Sequence, residues 1–230
     1  MESKYHVTLT GVTPLLMHKD NIEFSSSISL WQKDPKNKKT SVSGDDRSPA
    51  WIWIGYLYTD LEKGDKGKLI IDSDNIMTML REAGAKMSTG KGKATYKAVT
   101  QYGLFVDDLH FRFYNNGAEI QKDWINALVG ENDFDKHLEA VNAHGFELFL
   151  KRAKLPTGRG VKHVRVRPKF NNWSAEGCIT VVDPEESGLT QSVLQRILDI
   201  AGGQVGLCDW RPSSGSSGSF GKFTAKVESV

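Results

Sequence analysis

The sequence predicts an α+β fold in which helices cover one face of an antiparallel or mixed sheet. Three observations lead there. Short apolar and β-branched runs recur along all 230 residues, at 4–13, 51–60, 69–71, 103–114, 163–167, 178–183 and after Phe223. Two other stretches carry apolar residues at helical spacing: Ile76, Met79, Leu80 and Ala83, then Leu189, Val193, Leu194, Ile197 and Leu198. Long polar segments interrupt this series instead of ending it.

The elements follow in chain order. In residues 4–13, Val7 and Leu9 alternate with His6, Thr8 and Thr10, which predicts a strand closed by Gly11 and Pro14. Residues 18–50 are rich in Lys, Ser, Asp and Asn and read as a long loop or inserted segment. The aromatic run Trp51–Asp60 reads as a strand. Leu69–Ile71 is a short strand, Asp72, Ser73 and Asp74 offer capping oxygens, and a helix follows. Residues 88–97 form a basic, glycine-containing loop before the β-rich stretch 103–114. Residues 120–150 carry one or two helices. His163, Arg165 and Arg167 alternate with Val164 and Val166, so the basic side chains share one strand face, and Cys178–Asp183 is expected to pair with that strand. An amphipathic helix over 189–203 ends at Gly202 and Gly203. This order suits a ferredoxin-like or RNA-recognition-like sandwich, a single domain over residues 1–230 with insertions at about 18–50 and about 115–160.

Composition narrows the function. Net charge is only +2, so affinity for nucleic acid must come from local clusters of charge. Cys178 and Cys208 form no CxxC, and no Cys/His metal spacing occurs. This predicts a reduced, cytoplasmic protein with no metal and no cofactor. No apolar run reaches the roughly 18 residues of a membrane span, and MESKYHVTLTGV enters a strand pattern directly, which predicts a chain without signal peptide or membrane partner.

Two segments stand out as ligand sites. The loop GLCDWRPSSGSSGSFGKF, Gly206–Phe223, combines four glycines with serines and the cations Arg211 and Lys222. Glycines allow close backbone approach, and successive N–H groups in such loops bind anions. Arg211, Ser213, Ser214, Ser216, Ser217 and Lys222 are therefore candidate phosphate contacts, although the composition also suits a solvated hairpin loop. The second segment, Lys151–Lys169, contains no acidic residue, and Arg159, Lys162, His163, Arg165 and Arg167 are candidate contacts to a phosphate backbone. Lys91 and Lys93, with Lys97, form a further patch, and His18 and Lys19 follow the first strand. Asp20, the Asp45–Asp46 pair and Asp107–Asp108 read equally as loop carboxylates or as ligands for a divalent metal in phosphodiester cleavage. Asp20 is the weak catalytic candidate. No nucleophile elbow, phosphate-binding Walker loop or HExxH is present.

Several segments together resemble one family. Thr13-Pro14-Leu15-Leu16-Met17-His18, the LIIDSDNIMTMLREAG unit and the late glycine-rich loop are similar, in the same order, to elements of the RAMP superfamily, the RNA-binding subunits of class 1 CRISPR effector complexes. The family's PGSS turn is replaced here by Asp72-Ser73-Asp74-Asn75, whose carboxylates repel phosphate. The stretches Arg165–Trp173 and Gly206–Pro212 also resemble the "RTRPxFxxW" and "GLGDWRP" patterns of small proteins from phage and prophage genomes.

The resemblance implies an RNA-recognition-like palm with web or finger and thumb insertions. It also implies a non-catalytic role, coating single-stranded RNA, including guide-type RNA, in antiviral defence in the bacterial host cytoplasm. Copies of the chain, and other CRISPR effector subunits, would be its partners, assembled head to tail into a filament. Three alternatives stay open: a phage protein that binds or anneals single-stranded DNA, a metal-dependent ribonuclease of the same fold using Asp20 or the Asp45–Asp46 pair, and a phage protein whose basic face binds another protein.

Overall fold

A computed structural model describes residues 2–39, 48–60, 67–154, 162–215 and 218–230. The fold is α+β with antiparallel sheets. Its elements in chain order are β1 (Glu2–Gly11), β2 (Leu15–Leu16), α1 (Ile22–Lys33), β3 (Ile70–Asp72), α2 (Ser73–Gly84), α3 (Lys97–Tyr102), β4 (Leu104–Val106), β5 (His110–Asn115), α4 (Asp123–Asn126), α5 (Phe134–Ala143), β6 (Glu147–Lys154), β7 (Lys162–Phe170), β8 (Trp173–Val182), α6 (Pro184–Ser187), α7 (Gln191–Ile200) and β9 (Phe223–Ser229). Among the described residues no helix is long and apolar enough to cross a membrane.

The chain gathers into two compact units, one of residues 1–16, 69–120 and 171–230, the other of residues 17–68 and 121–170. The first unit is built on a sheet of order β3-β5-β8-β1-β9, with β4 pairing β8. Alternation explains its two faces. Tyr5, Val7 and Leu9 of β1 are buried, as are Ala175, Ile179 and Val181 of β8 and Phe111 and Phe113 of β5. Helices α2 and α7 supply the apolar stripes that meet them: Ile76, Met79, Leu80 and Ala83 on one, Leu194, Ile197 and Leu198 on the other. The opposite face carries His6, Lys4, Arg112, Tyr114 and Glu176, half-buried or exposed, with the Tyr114 hydroxyl donating to Glu176 at 2.6 Å.

Three sequence expectations change in this unit. Cys178–Asp183 does not pair with the basic strand; β8 pairs with β1, β4 and β5. The helix after Asp72 begins without a capping bond from the Asp72 side chain. Gly202 and Gly203 do not end the last helix either, which continues as a π turn over Ala201–Val205. A Cβ at Gly202 would overlap the Phe223 carbonyl, so this glycine lets helix and final strand meet.

The second unit holds residues of both expected insertions. Residues 18–50 are not simply a loop: Asn21 caps α1 by accepting from the Phe24 N–H at 3.1 Å. Trp51–Asp60 is not a strand; Ala50–Tyr56 winds as a 3-10 helix and buries Trp51, Ile52 and Trp53. Bulky aromatic residues have β propensity, but packing decides. Phe24 meets Trp51 edge to face at 5.1 Å, and Trp53 lies among Trp124, His137 and Phe146. The fully buried His137 accepts the Trp53 Nε1–H on Nδ1 at 3.1 Å, which leaves the proton on Nε2, facing the Glu131 carbonyl at 2.9 Å. Burial holds this imidazole below the ordinary histidine value. β6 and β7 pair as an antiparallel hairpin from Glu147↔Lys169 to Lys154↔Lys162.

Candidate nucleic-acid interface

The glycine-rich loop of the first unit is folded on itself. The N–H groups of Leu207, Asp209, Ser213, Gly218, Phe220 and Gly221 all donate to carbonyl oxygens, so they do not form the anion cradle expected of a glycine-rich loop. Its glycines serve backbone packing. A Cβ at Gly218 would overlap the Trp210 carbonyl, and one at Gly221, where φ is +69°, would overlap the Leu207 carbonyl. Gly215 alone of the four faces open space at the Cβ position.

The loop's polar side chains are drawn into a clasp. Arg211 donates through Nη2 to Glu82 Oε1 at 2.9 Å, through Nη1 to the Cys208 carbonyl at 3.1 Å and through Nε to Ser213 Oγ at 3.0 Å. Ser213 Oγ in turn donates to Glu82 Oε2 at 2.6 Å. Arg211 therefore offsets the charge of a helix carboxylate that Ser213 also hydrogen-bonds, instead of waiting open for phosphate. Ser214 Oγ donates to the Arg211 carbonyl at 2.7 Å, and the Lys222 backbone is tied to Val12 and Thr13. The Lys222 side chain is half-buried. Cys208 is buried beside this clasp, and burial pushes its thiol above the ordinary value.

The clasp forms one wall of a groove of about 490 Å³, lined by Arg81, Glu82, Ala85, Lys86, Lys97 and Ser213. Arg81, Lys86 and Lys97 are exposed, and the one carboxylate among these residues is bonded at both oxygens. The groove is thus cationic on balance. It exists because α2 and α3 approach closely at Gly84, whose Cβ position lies 2.7 Å from Thr100 Oγ1. Arg81 continues into a smaller recess of about 120 Å³ with Met77, Thr78 and Gln101. Lys91 and Lys93 are exposed on the turn closed by the Ser88↔Thr95 bridge. Arg81 and Lys86 escape a reading based on charge runs, because they stand apart in sequence. Arg81 has a signal of its own, the side of α2 opposite Ile76, Met79, Leu80 and Ala83, whereas Lys86 lies in the turn just past the end of that helix.

In the second unit the basic strand divides. Arg165 is exposed and stands opposite Lys151, placing two cations side by side across the hairpin. Arg167 is not on the open face: it is 4% exposed, with its guanidinium 4.4 Å from the centre of the Tyr56 ring. The cause is chain packing over that part of the strand. His18 Nδ1 lies 3.3 Å from Arg167 Nη2, and the His18 ring meets Tyr56 edge to face at 4.8 Å. An arginine donor at Nδ1 places the neutral imidazole proton on Nε2. Lys19 lies over Tyr58 at 5.9 Å, and the Tyr58 hydroxyl donates to the His18 carbonyl at 3.0 Å. The fold thus joins His18, Lys19 and Arg167 and adds Tyr56 and Tyr58, which the strand reading of 51–60 left out of the site.

Asp20 is exposed. Among the described residues no group of three or more His, Cys, Asp and Glu side chains is placed to hold a metal ion. Arg159, Ser216, Ser217, Asp45 and Asp46 lie outside the described residues, as do the side chains of Lys162 and His163. No family model and no curated protein matches this chain.

Proposed function

We propose that this protein binds the phosphate backbone of a single nucleic-acid strand, RNA in preference to DNA, and acts as a binding subunit without catalysing its cleavage. The observation that carries this reading is the groove of the first unit, which Arg81, Lys86 and Lys97 line together with a carboxylate already paired with Arg211 and bonded by Ser213. Three exposed cations suit phosphodiester contacts, which position a strand and carry no base code. Lys151 and Arg165, exposed and opposite each other in the second unit, add further basic surface that suits a phosphate backbone.

In this reading the first unit serves as the RNA-recognition-like, ferredoxin-like palm of a RAMP-type subunit. The antiparallel sheet with helices over one face supports that assignment, and so does the position of the glycine-rich loop before the last strand. Copies of the chain sit side by side along the strand, as the CRISPR backbone resemblance implies, with other effector subunits as further partners.

The test is purification at low salt, followed by extraction of bound nucleic acid and digestion with RNase or DNase. RNA of discrete length, lost with RNase, is the expected result. Protein free of nucleic acid that also fails to retain an added single strand at low salt overturns the proposal. Retention of DNA alone moves the assignment to single-stranded DNA binding.

A further inference from the structure

β9 is an end strand of its sheet, and on its outer side the Val227 N–H, the Val227 carbonyl and the Ala225 carbonyl are bonded to side chains. Gln191 and Gln195 of α7 lie one helical turn apart and reach the strand together. Gln191 Nε2 donates to the Val227 carbonyl at 3.0 Å, and the Val227 N–H donates to Gln195 Oε1 at 2.9 Å. Gln195 Nε2 donates to the Ala225 carbonyl at 2.9 Å, and Ser229 Oγ donates to Gln191 Oε1 at 2.9 Å. These bonds fix the orientation of both amides. The two side chains supply the donors and acceptor that the peptide groups of an adjoining antiparallel strand would supply.

The approach is open to solvent. Thr190, Gln191, Ser192, Gln195 and Val227 line a groove of about 440 Å³ along this edge. Exposed edges are templates for pairing with another chain, and proteins blunt them explicitly. We propose that Gln191 and Gln195 are an edge guard, which keeps β9 from pairing with β9 of a second copy.

The second copy is the occupant that the strand itself selects. Val227 turns both its N–H and its carbonyl outward, so a two-fold antiparallel pair centred on Val227 would exchange both bonds between the two copies. That register places Ala225 opposite Ser229 of the second copy and Lys226 opposite Glu228 of the second copy. Lys226 and Glu228 are exposed on one face of β9, where they bond each other at 2.7 Å. Across a two-fold pair they would form two complementary charge pairs, so the edge is self-complementary once the amides leave it. This inference is independent of nucleic acid, and it directs any assembly along a strand to surfaces other than this edge.

The test is sedimentation of nucleic-acid-free protein at matched concentrations. Gln191→Ala with Gln195→Ala is expected to double the mass of the sedimenting species relative to the wild type. Adding Lys226→Glu, which sets like charges opposite each other, is expected to restore the wild-type mass. Adding Lys226→Glu and Glu228→Lys together is expected to return the doubled species. If the alanine pair does not fold, Gln191→Asn with Gln195→Asn keeps the polarity but shortens each reach by one methylene, and the same doubling is expected. A folded double variant that sediments as the wild type does overturns the guard. So does a wild type whose own association is abolished by Lys226→Glu, because that edge would already be in use.

Discussion

Arg211 reaches Glu82 across 129 positions of sequence, Nη2 to Oε1 at 2.9 Å. This bond ties the glycine-rich loop to helix α2 and removes the one negative charge from the groove lining. Arg211→Ala is expected to act twice. The loop loses about 1 kcal/mol of stability, a modest figure because both partners are partly exposed to solvent. The freed carboxylate also lowers oligonucleotide affinity without any lost contact to the strand. Urea melts and fluorescence anisotropy on the same variant separate the two effects; unchanged affinity would remove the electrostatic role of the clasp.

Gly218 and Gly215 distinguish packing from ligand approach. Gly218→Ala forces a Cβ onto the Trp210 carbonyl and is expected to cost about 1–3 kcal/mol as overpacking does. Gly215→Ala meets open space and is expected to stay within about 0.5 kcal/mol of the wild type. Thermal denaturation of both variants checks this. A normally stable Gly218→Ala protein that has lost only binding would restore the open-cradle view of the loop.

Arg165 and Arg167, two positions apart on one strand, are expected to respond in opposite ways. Arg165→Ala leaves stability within about 0.5 kcal/mol, as for an exposed position, and weakens binding. Arg167→Lys loses the guanidinium contact over Tyr56 and the bond to His18, and costs about 3 kcal/mol, near the upper end for single substitutions. Chemical denaturation of the two purified variants decides the matter. A fully stable Arg167→Lys protein would show that the buried cluster is not structural.

His137 makes stability depend on pH. Its imidazole is held neutral by burial, below the ordinary value of 6.5 that the unfolded chain keeps. Between those two values the unfolded state binds more protons, so unfolding becomes easier as pH falls. The contribution is complete above pH 6.5 and declines as pH drops through the native value. His137→Gln, which cannot titrate, is expected to be less stable at neutral pH and to lose the part of the slope just below pH 6.5. Denaturation midpoints across this range check it; equal slopes in both proteins would contradict it.

Elements with their own periodicity were legible in the sequence. The stripe Ile76, Met79, Leu80 and Ala83 marked α2, and Val7 and Leu9 marked β1, because each pattern reports a buried face directly. Trp51–Asp60 misleads because its residues favour strands in isolation, whereas Trp53 is held by Trp124, His137 and Phe146 from distant sequence. The basic run around Arg165 reveals charge but not cover; Tyr56 and His18 bury Arg167 from outside the run. Glycine and serine content identified the loop at Gly206–Phe223 but not its self-bonding or its clasp on Glu82. The groove was the least legible feature, since Arg81 in α2, Lys86 just past its end and Lys97 at the start of α3 converge only through the contact at Gly84.

The salt dependence of single-strand binding, compared between the wild type and the triple variant Arg81→Gln, Lys86→Gln, Lys97→Gln, decides whether the groove holds the strand. Each phosphate contact contributes roughly 0.7 to the slope of log affinity against log salt for single strands. Loss of three contacts is therefore expected to flatten the slope by about 2 and to weaken low-salt binding, with the fold unchanged. Equal slopes and equal affinities in the two proteins would contradict the groove as the site that holds the strand.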